Sequence, residues 1–238
     1  MDIPLQHTVQ TNLGLIQSTI ATARVHEQQT AELKSLLEQQ LPSLHTAIEL
    51  PSHNSVDTLH GFIMDYIQHV PQFIEAIHTL AEDAKIDEPI SYVLKVASDF
   101  FLEPPQLLES HSGMRALMDE SYLAHRLIEE VNDRFINLCG QPLAPMDMTR
   151  SNLIIHYLIG EPFANELDSA VQYCVDLIMA RHSSIQSEAF QAYIEEHRDN
   201  GWYEEIKRWP CLAEDLSINL NFTSNFPAAA DSPKTILN

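Results

Sequence analysis

The chain has 238 residues, of which 45% are apolar and 20% charged, and this composition is typical of a globular protein with a large core. Thirteen Lys and Arg against 34 Asp and Glu give a formal charge of −21, which disfavours nucleic acid and anionic membrane surfaces as partners. The first residues lack the basic and apolar regions of a secretory signal and no apolar run is long enough to span a membrane, so we expect a cytoplasmic protein.

The dominant pattern along the chain is an apolar period of 3.6 residues, which predicts an all-α protein. The first periodic segment runs from about Thr8 to Leu41 and carries only a thin apolar stripe. The members of this stripe are Leu13, Ile16, Ile20, Leu33, Leu37 and Leu41. One helix or a helix pair is predicted here, and its stripe must pack either on its own bundle or on another subunit.

The next two predicted helices are marked by proline and by a capping aspartate. Between Ser55 and Ala84 the apolar positions keep one helical phase through Pro71, which favours a single kinked helix over a hairpin. Asp87 followed by Pro89 predicts the start of another helix. The prolines at 104 and 105 predict its end.

Three further helices have clear boundaries. The first covers Met114 to Leu138 and ends near Gly140. The second begins at Asp147 or Thr149, ends at Gly160, and is so strongly apolar that we expect it to be central. Pro162 suits the first turn of the third. Its predicted buried face consists of Phe163, Leu167, Ala170, Val171, Cys174, Leu177 and Ile178.

The C-terminal part changes character. Two shorter helices are predicted at about Ile185 to Arg198 and Trp202 to Trp209. From Leu216 to Phe222 the apolar residues alternate with polar ones, which is a strand pattern, so this piece either lies extended across the bundle or joins a strand of a neighbouring subunit. Beyond Phe226 a flexible end is expected.

The predicted fold is therefore an all-α bundle of about seven to nine helices with an extended C-terminal arm. We divide it into an N-terminal amphipathic segment at residues 1–41, a helical bundle at 42–209, and the arm with its flexible end at 210–238. Cys139, Cys174 and Cys211 are odd in number and widely spaced, which predicts neither a disulfide framework nor a zinc site.

Metal-ligand spacing occurs twice in one predicted helix. Glu75 and His78 form the Glu-x-x-His arrangement that di-iron bundles use, and Asp57 and His60 have the same spacing. The two pairs lie about 27 Å apart along the helix axis, too far to share a metal cluster. We therefore interpret Glu75 and His78 as part of a solvated face, and the twelve scattered histidines as mainly surface residues.

Glu120 is the most informative single residue. It falls at the same azimuth as Leu117 and Ala124, so its carboxylate should be buried, and a buried carboxylate needs a partner or a raised pKa. Ser121, His125 and Asn132 form a polar seam along the same face. Such a group is either structural, fixing helix register, or part of a ligand or metal pocket.

Two residues of the apolar helix between Asp147 and Gly160 are candidate partners for Glu120. Arg150 is the first candidate, because a guanidinium binds a carboxylate through two parallel hydrogen bonds. His156 is the second. Glu120, His125, Arg150 and His156 are thus the candidate ligand or metal residues of the chain.

Two functions follow as hypotheses. The absence of catalytic motifs and the two thinly apolar segments favour a non-enzymatic protein that binds another protein and self-associates, with no cofactor. The alternative is a metal- or small-molecule-dependent enzyme, with a transition metal as cofactor, whose site lies near Glu120, His125 and His156. The acidic helical profile is loosely similar to redox-enzyme assembly chaperones, and the carboxylate and histidine content is loosely similar to ferritin-like proteins, although no motif of either class is present.

Overall fold

A computed structural model describes residues 5–84, 87–108, 111–140, 142–143, 146–181, 195 and 218–221, and these form an all-α bundle. The helices of the described residues are α1 (Leu5–Thr30), α2 (Glu32–Gln40), α3 (Ser55–Ala84), α4 (Asp87–Leu102), α5 (Gly113–Cys139), α6 (Thr149–Ile159) and α7 (Glu161–Arg181). Two short strands, β1 (Ile48–Glu49) and β2 (Asn219–Leu220), accompany them.

The first predicted segment is a pair of helices rather than one. Ala31 separates them with a φ of 50°, a left-handed conformation that interrupts the helix. The buried carboxylate of Glu27 accepts hydrogen bonds from the backbone N–H groups of Leu33 at 3.0 Å and Lys34 at 3.1 Å. Glu27 therefore satisfies amides in the first turn of α2 that have no partner within the helix.

The thin apolar stripe of α1 and α2 is buried within the chain. Ile16 and Leu37 are at most 1% exposed, and α1 packs on α3, α4 and α5. The stripe shares one hydrophobic core with residues of all the later helices up to α7. The sequence left open whether this stripe packs on its own bundle or on another subunit, and in the structure it packs on its own bundle.

Helices α3 and α4 have the predicted form. Pro71 lies inside α3, so the segment from Ser55 to Ala84 is one helix, not a hairpin. Helix α4 begins at Asp87 and ends at Leu102, just before the paired prolines. None of the helices in the described part of the chain combines the length and apolarity that crossing a membrane requires.

Helix α5, not α6, is the central helix. It packs against α1, α3, α4, α6 and α7, and the prediction that α6 is central is wrong. The reason is that α5 buries residues on nearly all sides, including polar ones that hydropathy discounts, whereas α6 keeps several positions partly exposed. Both helices end at a glycine with positive φ, Gly140 at 78° and Gly160 at 100°.

Helix α7 begins at Glu161, with Pro162 in its first turn as predicted. Its predicted buried face is correct for Leu167, Val171 and Ile178, but wrong for Leu177, which is 41% exposed.

The alternating C-terminal segment pairs with its own chain. Ile48 and Glu49 of β1 pair antiparallel with Leu220 and Asn219 of β2, and Ile218 is fully buried. The two predicted helices between Ile185 and Trp209 lie, apart from residue 195, outside the described residues. The flexible end beyond Phe226 also lies outside them.

Candidate functional site

Glu120 lies at the floor of a groove between α1 and α5. The groove, called the main groove below, has a volume of about 550 Å³. Its lining includes Thr19, Thr22 and His26 of α1, Phe101 of α4, and Leu117 and Glu120 of α5. Glu120 is only 6% exposed, which confirms its predicted burial.

The carboxylate of Glu120 is short of partners. Its Oε2 atom is buried, and no hydrogen bond to it exists within the described part of the chain. Burial and, to a smaller extent, the neighbouring carboxylate of Asp119 together raise the pKa of Glu120 to about 8. An acceptor of this kind is costly to leave unpaired, and it is therefore the natural contact for a donor that enters the groove.

The α1 wall of the main groove also presents acceptors. The hydroxyl of Thr19 donates to the carbonyl of Leu15 at 3.1 Å, and the hydroxyl of Thr22 donates to the carbonyl of Ser18 at 2.9 Å. Because each hydroxyl proton is used within α1, both oxygens offer only lone pairs to the groove. Together with Glu120 they make a site rich in acceptors.

A second depression continues the main groove. This adjoining groove has a volume of about 410 Å³, lies between α2 and the start of α5, and meets the main groove at Ser112. Leu36 and Met114 contribute to its apolar lining, and Arg115 to its polar lining. The two grooves together follow α1 and α2 from Ser18 to Gln39.

The predicted partners of Glu120 are elsewhere. Among the described residues Glu120 forms no ion pair with Arg150 or His156, so that predicted pairing is wrong. His156 instead contacts Tyr122, which lies about 200° around α5 from Glu120. Glu120 faces α1, and a side chain of α6 cannot reach it through the body of α5.

His125 belongs to a separate, fully buried cluster. Its Nδ1 lies 2.9 Å from the carbonyl oxygen of Ser121, so Nδ1 carries the proton and Nε2 is an acceptor. His69 Nδ1 lies 3.0 Å from that Nε2 and donates to it. Burial lowers the pKa of both imidazoles, that of His69 to about 4, so the pair is neutral and packs against Tyr66 and Phe73.

A network of polar side chains connects α5 with α6 and α7. Arg126 Nε donates to Asp168 Oδ1 at 2.9 Å, and Arg126 also pairs with Glu129. Tyr122 donates to Asp168 at 2.9 Å and accepts from His156 Nδ1 at 2.9 Å. Burial and the negative charge of Asp168 raise the pKa of Tyr122, which therefore stays protonated.

The network extends to α3 through Asn152. Asn152 donates to Glu129 at 2.6 Å and accepts from the hydroxyl of Tyr66 at 2.6 Å, while Thr149 donates to the second oxygen of Glu129 at 2.8 Å. Each carboxylate here has donors within the chain. We call this set of Tyr66, Tyr122, Arg126, Glu129, Thr149, Asn152, His156 and Asp168 the closed network.

Sequence reasoning missed most of the closed network. Asp168 lies next to Leu167 on the edge of the apolar face of α7, and Tyr122 and Arg126 are four residues apart on α5. In the sequence these three residues are recognisable as polar positions that flank an apolar stripe. Nothing in the sequence, however, indicates which helix each of them faces.

The metal-spaced pairs on α3 are also explained by other contacts. Asp57 pairs with Lys34 at 2.6 Å, and His60 lies 3.5 Å from Glu27. Glu75 is exposed, as predicted, but His78 is 6% exposed, so its assignment to a solvated face is wrong. His69 and His125 likewise contradict the prediction of surface histidines, because each lies on the core-facing side of its helix.

No three His, Cys, Asp or Glu side chains converge on a point that could hold a metal ion within the described residues. Arg150 is half-buried on α6, and Cys174 is a free thiol whose pKa is raised by burial. The four candidate residues predicted from the sequence are therefore not brought together. Of these, Glu120 faces an open groove.

Comparison of the chain with protein-family models, with curated proteins and with solved structures finds no match.

Proposed function

We propose that this protein is a cytoplasmic, non-enzymatic module that binds a segment of another protein in the main and adjoining grooves. The observation that carries the proposal is Glu120, a buried carboxylate with an unpartnered oxygen at the floor of an open groove. Buried polar atoms in folded proteins nearly always have partners, and an exception next to a groove is what a binding site offers its ligand.

The shape of the site supports an extended protein segment as the ligand. The α1 side of the main groove runs from Ser18 to His26, about 12 Å along the helix axis, and the adjoining groove continues beyond it along α2. A compact small molecule would use only part of this length. An extended chain of several residues fits it, and the formal charge of −21 favours a basic partner.

The competing hypothesis, a metal- or small-molecule-dependent enzyme, has less support. It places Glu120, His125 and His156 in one site, yet these side chains face α1, α3 and α7 respectively. A metal analysis of untagged protein tests it directly. Stoichiometric iron, manganese or zinc would favour the enzyme over the binding module.

Peptide selection tests the binding function. A displayed library of random 12-residue peptides is panned on the full chain, and the Kd of each selected peptide is measured by fluorescence anisotropy. Thr22→Trp fills the main groove, and Val25→Trp is the matched control, since Val25 is 53% exposed on the same helix and lines neither groove. Peptides that bind wild type and Val25→Trp at least tenfold more tightly than Thr22→Trp support the proposal. Selection of none, or of peptides indifferent to Thr22→Trp, would overturn it.

Self-association is a separate proposal with weaker support, because the stripe of α1 and Ile218 of the arm are buried in their own chain. A light-scattering mass near twice 27.0 kDa at micromolar concentration would support a dimer. A mass near 27.0 kDa would contradict it.

A further inference from the structure

We infer that the floor of the main groove binds a primary ammonium group, supplied by a lysine side chain of the partner segment. This inference rests on the proposed binding function and specifies its chemistry. It begins from Glu120, whose side chain is more than nine-tenths buried and whose Oε2 has no partner in the described residues.

The hydrogen-bond acceptors of the main groove determine which chemical group can bind there. Glu120 contributes a carboxylate oxygen, and Thr19 and Thr22 contribute oxygens whose protons are already donated within α1. A ligand group that satisfies them must be rich in donors and need no donor itself. An ammonium group has three donors and no acceptor. When Glu120 is ionised, as at pH 9, a hydroxyl or amide group would bring lone pairs for which these three residues provide no donor.

The positions of these acceptors favour an ammonium group over a guanidinium group. A guanidinium is planar and binds best when two carboxylate oxygens face its fork. Here the acceptors stand on two different helices, with the carboxylate on α5 and the hydroxyls on α1. A compact ammonium with rotatable donors suits this arrangement better than a flat fork.

The apolar lining of the main groove suits the methylene chain that carries the ammonium group of a lysine. Phe101 and Leu117, both buried, line the groove beside Glu120. The four methylenes of a lysine side chain can pack on such apolar surface while the ammonium reaches the floor. The aromatic ring of Phe101 adds a favourable surface for a cation.

The charge balance agrees with this ligand. Glu120 and Asp119 are adjacent, and Asp119 already pairs with His111. The pKa of Glu120 is raised by burial, so its ionised form lacks stabilisation in the free protein. A bound ammonium supplies the missing positive charge at that position.

Small probes test the ammonium chemistry on the full chain. n-Butylammonium, n-butylguanidinium and n-butanol are titrated at pH 9, while backbone amide NMR signals of Thr19, Thr22 and Glu120 are followed. We expect saturable shifts with n-butylammonium and at least fivefold weaker binding of the other two. Equal binding of all three would overturn the inference.

Variants assign the contact to Glu120. Glu120→Gln keeps the shape and should weaken n-butylammonium binding at least tenfold, whereas Glu130→Gln, an equal change of charge on the same helix, should leave it within twofold. Thr22→Val removes one acceptor at an exposed position, where folding is insensitive, and should weaken binding about threefold. Binding that Glu120→Gln leaves unchanged, or that Glu130→Gln weakens as much, would overturn the inference.

The selected peptides then separate this inference from the proposed function. Replacing each lysine with norleucine should abolish the binding that Thr22→Trp also abolishes. Peptides that bind in the groove regardless of lysine would overturn the inference and leave the binding function standing. If n-butylammonium binds through Glu120 but no peptide is selected, the lysine source and the binding function both fail.

Discussion

Two polar regions of the same helix differ in whether their charged atoms have partners. In the closed network, Glu129 and Asp168 receive donors from Arg126, Asn152 and Tyr122. In the main groove, the Oε2 atom of Glu120 receives none from the described residues. The carboxylates of both regions contact or belong to α5 and are at least three-quarters buried, so burial alone does not distinguish a structural carboxylate from a functional one.

The difference indicates what each region does. A satisfied network fixes the positions of α3, α6 and α7 against α5, and a ligand would have to displace existing bonds to enter it. An unsatisfied carboxylate beside a groove destabilises the free protein, and binding of a donor relieves that cost. Four substitutions test whether the two regions differ in this way.

The largest loss of stability is expected from Arg126→Met. The substitution keeps most of the apolar stem but leaves Glu129 and Asp168 without their cation, and both are at least three-quarters buried. We expect a loss of about 3 kcal/mol in the free energy of unfolding, measured by urea denaturation. A loss below about 1 kcal/mol would mean that the closed network does not hold these helices together.

Glu120→Gln should act in the opposite direction, and only at high pH. The pKa of Glu120 is about 8 in the folded protein and near 4.5 in the unfolded chain. Between these values the folded state binds more protons, so the contribution of Glu120 to stability is full below pH 4.5 and is lost as pH rises through 8. The variant should come closest to wild type at pH 5 and exceed it by about 4 kcal/mol at pH 9, because each unit of the pKa shift corresponds to about 1.4 kcal/mol.

Thermal melts of both proteins at the two pH values measure this effect, with Glu130→Gln as control. A pH-independent difference between wild type and Glu120→Gln would show that the carboxylate is solvated or paired. The contrast with the closed network would then disappear.

Tyr66→Phe tests the far end of the closed network. The hydroxyl of Tyr66 is the donor to Asn152 Oδ1, and both residues are buried. Removing the hydroxyl leaves a buried acceptor without this donor while keeping the ring in the core, so we expect a loss of about 1 to 2 kcal/mol. Urea denaturation measures it, and an unchanged midpoint would imply that another group takes over the bond.

The smallest change in the free energy of unfolding is expected from Lys95→Ala. Lys95 pairs with Asp99 on the surface of α4, and the two side chains are 50% and 36% exposed. Solvated pairs contribute little, so the change should stay within about 0.5 kcal/mol. A loss as large as that of Arg126→Met would show that ion pairing as such, rather than burial of the network, determines stability.

Burial could be predicted from the sequence more reliably than partnership. The azimuth of Glu120 between Leu117 and Ala124 was sufficient to place it in the interior, and the unbroken phase through Pro71 was sufficient to predict one helix. The proposed pairing with Arg150 or His156 failed because helical period gives no information on which neighbouring helix each face meets. Arg126 and Asp168 are 42 residues apart and show the same limitation.

The helical class, most helix ends and most of each apolar face follow from the amino-acid sequence alone, because propensity, capping and 3.6-residue periodicity are local properties. The central position of α5, the burial of the α1 stripe in its own chain and the pairing of β2 with β1 become visible in the folded structure. Tertiary packing also determines which buried charged groups have hydrogen-bond partners. Those outcomes depend on how helices distant in sequence pack, and a carboxylate gains or lacks a donor only when that packing is complete.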